Sequence, residues 1–217
     1  PEDMRPWDGP VQRHWKLSTA PGRYVHVAGE TATGSLDWHQ TGSSPVGTYV
    51  YFGAAAPVAT AHGTLLVDPG VPDWMGEDVR SSGPDILAWY SQATGITHPH
   101  PPTVFVSWTD PASDRRGLSG GALGHGALQL AAIGAPWRDR TPESRLRWLR
   151  FYAHEAFHLW QGGEREARYG PADDWLVEGG ADYMALSAML AADVIDRSLF
   201  DRLLVQDANR CLLSLEG

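Results

Sequence analysis

Two histidines four residues apart, with a glutamate directly after the first, are the residues of this sequence best suited to chemistry. His154, Glu155 and His158 lie in the stretch FYAHEAFHLWQ and form an H-E-x-x-H pattern. Because residues four apart share one face of a helix, the two imidazoles can bind one metal ion from the same side. Glu155 lies about 100° around the helix, where its carboxylate can deprotonate a water at the metal without binding the metal itself. An amphipathic helix with two partly buried histidines is the alternative interpretation.

A third metal ligand is expected downstream, because a catalytic zinc ion binds three protein side chains and keeps one position open for water. Glu178 follows the second histidine by 20 residues. Between them, Gly162-Gly163 and Gly170-Pro171 favour the end of one helix and the start of another that runs back past it. Asp173 or Asp174 can cap this second helix, which places Glu178 on its early turns.

Asp182 lies four residues after Glu178 and therefore on the same face of the second helix. There its carboxylate can accept the free N–H of a ligating histidine, which fixes the tautomer and the orientation of the imidazole ring. Solvated carboxylates on an ordinary helix surface are the alternative for both residues. That alternative requires the spacing to be a coincidence.

The combined pattern of H-E-A-F-H, a 19-residue gap, Glu178 and Asp182 resembles the gluzincin metallopeptidases. The gap and the E-x-x-x-D pair are similar to thermolysin. The sequence W-L-V-E-G-G-A-D-Y resembles the second motif of aminopeptidases, which reads W-L-x-E-G-x-A-x-Y. Covering about residues 118–188, the resemblance implies a zincin, thermolysin-like catalytic domain with the two histidines and Glu178 as ligands of one Zn²⁺ per chain. It also implies Glu155 as the general base and Asp182 as the hydrogen-bond partner of a ligand.

Substrate contacts follow from the same resemblance. The aminopeptidases carry a G-x-M-E-N motif on the strand that lines the substrate cleft, and residues 120–124, GGALG, stand in its place about 30 residues before the first histidine. Gly121, Ala122 and Leu123 are therefore expected to contact substrate, with backbone groups that can pair with an extended peptide. His125 either contacts substrate as well or is a loop histidine without that role. Leu123 replaces the glutamate that holds a free amino group, which argues against exopeptidase activity.

Tyr169 is the candidate for the electrophile that stabilises the developing oxyanion in such a hydrolase. It lies eleven residues after His158, where thermolysin places a tyrosine for this purpose. A loop aromatic packed against the helix is the alternative. The expected reaction is the attack of a zinc-bound water on a peptide bond, with Glu155 passing the proton to the leaving amine. A zinc hydrolase of a small amide, ester or epoxide and a non-catalytic peptide-binding module are the other two interpretations.

The elements that must position these residues form two predicted lobes. A chain of 217 residues with 42% hydrophobic and 20% charged residues is typical of one globular domain with a sizeable core. We expect an α+β fold, with a mixed β-sheet lobe and the motif helix over about residues 1–161 and a small helical lobe over 162–217. Short β-rich runs between glycine and proline clusters predict the sheet.

Capping residues predict where several elements begin. Thr141 as the cap and Pro142 at the first position favour the start of the motif helix, whose arginines, Arg150 among them, are expected on its solvated face. Another helix is predicted to open at residues 82–83, just before Pro84. Further expectations are an irregular arm over residues 1–21, strands over 103–108 and 127–133, a polar glycine-rich loop over 112–121, and a last helix near 198–215.

Charge and hydropathy limit the classes of partner. A net charge of −9 without a basic run argues against nucleic-acid binding, so the expected partner is a peptide or small-molecule substrate. No apolar stretch reaches the 18 residues of a candidate membrane span. The chain begins at Pro1 rather than Met, so either a signal or anchor segment has been removed or the chain has been trimmed. We expect the first, which corresponds to an extracytoplasmic enzyme.

Overall fold

A computed structural model describes residues 13–40, 47–97, 101–161 and 174–214. Within these ranges the fold is α+β, with four helices and three sheets. The strands are β1 (Arg13–Ser18), β2 (Tyr24–Val27), β3 (Glu30–Thr33), β4 (Ser35–Gln40), β5 (Val50–Gly53), β6 (Val58–Thr60), β7 (Gly63–Val67), β8 (Thr103–Thr109), β9 (Gly117–Leu123) and β10 (Ala127–Ile133). The helices are α1 (Asp73–Thr94), α2 (Pro142–Gln161), α3 (Asp174–Ala191) and α4 (Arg197–Ser214). None of these helices is long and apolar enough to cross a membrane.

The central sheet has five strands in the order β6-β7-β8-β10-β9. Strands β7, β8 and β10 run parallel, and the outer strands β6 and β9 run antiparallel to their neighbours. Leu65, Val104 and Leu128 lie side by side across the parallel strands and are all buried. In the described ranges β9 pairs only with β10, so its other side is an edge of the sheet.

Helices α1 and α2 pack against each other and against the central sheet through large aromatic residues. Tyr90 of α1 is fully buried, and its hydroxyl donates to the carbonyl of Ala153 at 2.8 Å. Trp148 of α2 donates from its indole N–H to the carbonyl of Met75 at 3.0 Å. Because buried indole and phenol groups need hydrogen-bond partners, these two bonds set how the two helices align.

Helix α1 begins at Asp73, so the expected start at residues 82–83 is wrong, and Pro84 lies inside the helix. A proline in a helix interior costs about 3 kcal/mol or more. The added turns bury Met75 and Val79, and burying such side chains stabilises by about 1.5–3 kcal/mol each. Tertiary burial therefore outweighs the local preference of the proline. Gly95 ends the helix in a left-handed conformation with φ of 70°.

A three-stranded sheet in the order β3-β2-β5 and a two-stranded ribbon of β1 and β4 complete the described fold. His26 of β2 is fully buried, with Nδ1 2.7 Å from the hydroxyl of Thr31 and Nε2 3.0 Å from that of Thr103 in the central sheet. The expected irregular arm over residues 1–21 is wrong for residues 13–18, which form β1. There Trp15 lies opposite Trp38, and such cross-strand pairs stabilise a ribbon.

Candidate metal centre

Helix α2 begins as its capping residues predict. Thr141 Oγ1 accepts the backbone N–H of Ser144 at 3.0 Å, and Pro142 is the first residue of the helix. The helix then continues through both histidines to Gln161. His158 is buried and His154 is partly buried, so neither imidazole is an ordinary surface side chain.

Helix α3 carries Glu178 and Asp182 and packs against α2. Val177 and Ala181 are buried on its inner face, one residue before each of the two carboxylates. Glu178 lies on an early turn, as expected. The residues expected to cap α3, both glycine breaks and Tyr169 lie outside the described residues or side chains.

The side chains of His154, His158 and Glu178 converge on one point. Glu178 Oε2 lies 3.1 Å from His154 Nε2 and 3.5 Å from His158 Nε2, and the three donor atoms lie within 4.8 Å of one another. The two imidazole rings are perpendicular, with 4.9 Å between their centroids. Donor atoms bound to a tetrahedral zinc ion at about 2.0–2.1 Å are about 3.3 Å apart. The group can therefore hold a metal ion.

Each histidine has a hydrogen-bond partner on the side away from this point. His154 Nδ1 lies 3.1 Å from Asp182 Oδ1, as the spacing of Glu178 and Asp182 suggests. His158 Nδ1 lies 2.6 Å from Gln161 Oε1, a partner that the sequence analysis missed. A proton on each Nδ1 serves these acceptors and leaves each Nε2 lone pair for a metal. The sequence does contain a signal for this contact, because Gln161 is a polar residue three positions after His158 and so lies within one helical turn of it.

Asp182 and His154 shift each other's pKa. Burial lowers the pKa of His154, but the hydrogen bond and charge of Asp182, followed by the charges of Glu155 and Glu178, leave it raised above its ordinary value. Burial raises the pKa of Asp182, but the hydrogen bond to His154 and the charge of Arg150 leave it lowered. The lowered pKa of Asp182 favours its ionised carboxylate, and the raised pKa of His154 reflects the attraction of that anion for the protonated imidazole. An anionic acceptor also makes the imidazole a more basic metal ligand.

Arg150 does not lie on the solvated face of α2, where it was expected. Its guanidinium Nη2 donates to Asp182 Oδ1 at 3.2 Å and to Asp207 Oδ2 of α4 at 2.6 Å. Only 19% of its side chain is exposed. Arg150 precedes His154 by one helical turn, so it shares the face that α3 and α4 cover.

Tyr49, just before β5, is a second residue near the centre that the sequence analysis missed. Burial raises the pKa of its phenol first, and the negative charge of Glu155 raises it further. The Tyr49 hydroxyl therefore lies within electrostatic range of the Glu155 carboxylate. Its ring packs edge-on against Phe105, with 5.9 Å between centroids. No local signal could reveal this relationship, because the two residues are more than 100 positions apart in the sequence.

The residues expected to contact substrate, Gly121, Ala122 and Leu123, lie on the edge strand β9. The expected loop over 112–121 is therefore wrong from residue 117 onward. His125 follows in a short 3-10 turn, and its side chain is outside the described part.

Gly120 is the physical reason that a glycine-rich segment forms strand β9 instead of the expected loop. A Cβ at Gly120 would collide with the backbone carbonyl of Gln129 and approach Phe151 of α2 to 2.8 Å. The glycine is thus required for the close approach of both β10 and α2 to the edge strand, although glycine is rare in strands. Among the described residues, no atom beyond the chain neighbours lies within 4 Å of a Cβ placed at Gly121.

Comparison with known proteins identifies no family for this chain. No protein-family model matches the sequence, and no curated protein matches it. The geometry of the candidate metal centre is therefore the main basis for inferring a function.

Proposed function

We propose that this protein is a zinc-dependent hydrolase of the gluzincin type, and specifically a metallopeptidase. The observation that carries the proposal is the convergence of His154 Nε2, His158 Nε2 and a Glu178 oxygen, with a separate acceptor behind each imidazole. Two imidazoles and one carboxylate are a donor set that suits zinc. We also propose a zincin, thermolysin-like fold, which the mixed sheet and the packing of α2 against its antiparallel edge strand support.

The residues around the centre have separate roles in the proposed hydrolysis. Zinc held by the three side chains would supply a Lewis acid that polarises a carbonyl and lowers the pKa of a water molecule. Glu155 accepts a proton from the attacking water and gives it to the leaving amine when the C–N bond breaks. Asp182 and Gln161 hold the two imidazoles in the orientation that presents Nε2 inward.

The edge strand β9 favours a peptide as the substrate. Its outer side can pair with an extended peptide through backbone hydrogen bonds, as an added strand. Gly121 carries no side chain, and no described residue beyond its chain neighbours lies within 4 Å of the position that its Cβ would take. Leu123 offers no carboxylate to a substrate's free amino group, so we propose internal peptide bonds as the sites of cleavage.

Metal content and cleavage measured on the same preparations test the proposal. The purified protein should hold one zinc per chain by elemental analysis, and His158→Ala should lose it. The protein should also cleave members of a diverse peptide library. Absence of stoichiometric metal from the wild type, or full retention of it in His158→Ala, would overturn the metal site. Metal binding with cleavage of only small amides, esters or epoxides would instead overturn the choice of a peptide substrate.

A further inference from the structure

Arg150 forms an ion-pair cluster that connects three helices. Its Nη2 atom lies between Asp182 of α3 and Asp207 of α4, at 3.2 and 2.6 Å from their oxygens. The cluster is partly shielded from solvent, with 19% of the Arg150 side chain and 14% of the Asp207 side chain exposed. Arg210 of α4 also donates to the second oxygen of Asp207. Partly buried pairs of this kind are screened less by salt than surface pairs.

The same Asp182 oxygen faces both Arg150 and a proposed metal ligand. Oδ1 lies 3.2 Å from Arg150 Nη2 and 3.1 Å from His154 Nδ1. We infer that Arg150 is a positioning residue of the metal centre, held in turn by Asp207 of the last helix. The inference rests on the proposed metal site. It connects α4 to the orientation of the His154 ring through the side chains of Asp207, Arg150 and Asp182.

The positive charge of Arg150 should weaken metal binding, whereas its hydrogen bond to Asp182 should strengthen it. A cation near the centre repels a divalent metal, so removal of Arg150 alone would combine lost orientation with relieved repulsion. Asp207 lies at hydrogen-bond distance and offsets that charge. The pair therefore contributes orientation with little net charge, and a variant that removes both members together leaves the net charge unchanged.

The test is a charge-balanced variant, Arg150→Met with Asp207→Asn, compared with a matched control. The control is Arg197→Met with Asp201→Asn, which removes an exposed pair of the same chemistry at 2.9 Å on α4. Zn²⁺ affinity is measured by competition with a chromophoric chelator, and Co²⁺ absorption spectra report the ligand geometry. We expect the first variant to raise the Zn²⁺ Kd about tenfold, the lower end of the range for outer partners of metal ligands. The control should match the wild type.

A second background separates positioning from charge. If Arg150 acts through Asp182, the Arg150 and Asp207 substitutions should change the Kd less than about twofold when Asp182→Asn is already present, because the effects of coupled residues are not additive. A purely electrostatic effect would persist in both backgrounds. Asp207→Asn alone, made in both backgrounds, provides the same comparison should the charge-balanced variant fail to fold. Thermal unfolding of the metal-free proteins shows which variants are folded.

The outcomes separate this inference from the proposed function. A wild-type protein that binds no zinc overturns the metal site itself. A wild type that binds zinc, together with network variants whose Kd equals that of the control, overturns only the role of Arg150. An equal loss of affinity in both backgrounds would also overturn it, because the effect would then bypass Asp182.

Discussion

Gln161 accepts a hydrogen bond from His158 within one turn of α2, with 2.6 Å between Oε1 and Nδ1. Its amide nitrogen donates to the carbonyl of Val177 on α3 at 2.9 Å. The amide therefore has partners on both helices of the candidate metal centre, and its orientation is determined. His154 has Asp182 in the corresponding position. The His158 imidazole is thus oriented by a neutral amide, and the His154 imidazole by a carboxylate.

Replacing either partner should weaken metal binding. We expect Asp182→Ala and Gln161→Ala to raise the Zn²⁺ Kd by roughly 10- to 100-fold, the usual effect of losing the hydrogen-bond partner of a ligating histidine. Asp182→Ala should have the larger effect, because its anionic oxygen makes the imidazole more basic. Chelator competition measures both Kd values. Asp201→Ala, which removes an exposed carboxylate of α4, is the control, and affinities equal to it would refute the supporting role.

Glu155→Gln should keep the metal and lose most of the turnover. The substitution preserves the shape of the side chain and removes the base, whose contribution is typically about 10²- to 10⁴-fold. Zinc stoichiometry and kcat on one cleaved peptide are measured together. Hydrolysis by the variant near the wild-type rate would show that Glu155 is not the base.

The rate of cleavage should not depend on whether the amino terminus of a peptide substrate is free or acetylated. Leu123 cannot make the charge-assisted hydrogen bond that a glutamate makes to an ammonium group, worth about 1.5–3 kcal/mol. Each 1.4 kcal/mol corresponds to about tenfold in affinity, so most selectivity for free amines should be absent. Identical peptides with free and acetylated amino termini are compared by kcat/KM. A preference above about a hundredfold for the free amine would reveal an anionic subsite elsewhere.

Gly120→Ala should destabilise the protein, and Gly121→Ala should not. The added methyl at position 120 meets the Gln129 carbonyl and Phe151, and such overpacking costs about 1–3 kcal/mol. At position 121 the methyl meets no described atom within 4 Å beyond the chain neighbours. Urea denaturation compares the free energies of unfolding of the two neighbouring variants. Equal stability would mean that α2 does not depend on the glycine for its approach to β9.

His26 should make the protein less stable as the solution becomes acidic. Burial lowers the pKa of His26 below its ordinary value of 6.5. Between the lowered pKa and 6.5 the unfolded chain binds a proton that the folded protein does not, so this stability is present above pH 6.5 and lost as the pH falls below it. The free energy of unfolding of His26→Gln should decrease less than that of the wild type between pH 7.5 and 5.5. His62→Gln, at an exposed position, controls for the loss of an imidazole, and parallel pH profiles for wild type and His26→Gln would contradict the prediction.

Local sequence was sufficient for the parts of the centre that depend on helix periodicity. The four-residue spacing of His154 and His158, and of Glu178 and Asp182, determines that each pair shares a helix face. The start of α2 was also predictable, because Thr141 and the proline after it act on the backbone next to them. These features need only the geometry of one helix.

Tertiary structure decided the features that depend on contacts between distant segments. Arg150 is paired because α3 and α4 bring Asp182 and Asp207 to its side of α2, and the same sequence on an isolated helix would leave it in water. Burial across the fold likewise allows α1 to begin at Asp73, well before Pro84. It also makes the glycine-rich segment that ends at Leu123 a strand. Local preferences amount to about 1 kcal/mol per residue, with about 3 for proline, whereas a packed interface combines many buried contacts and overrides them.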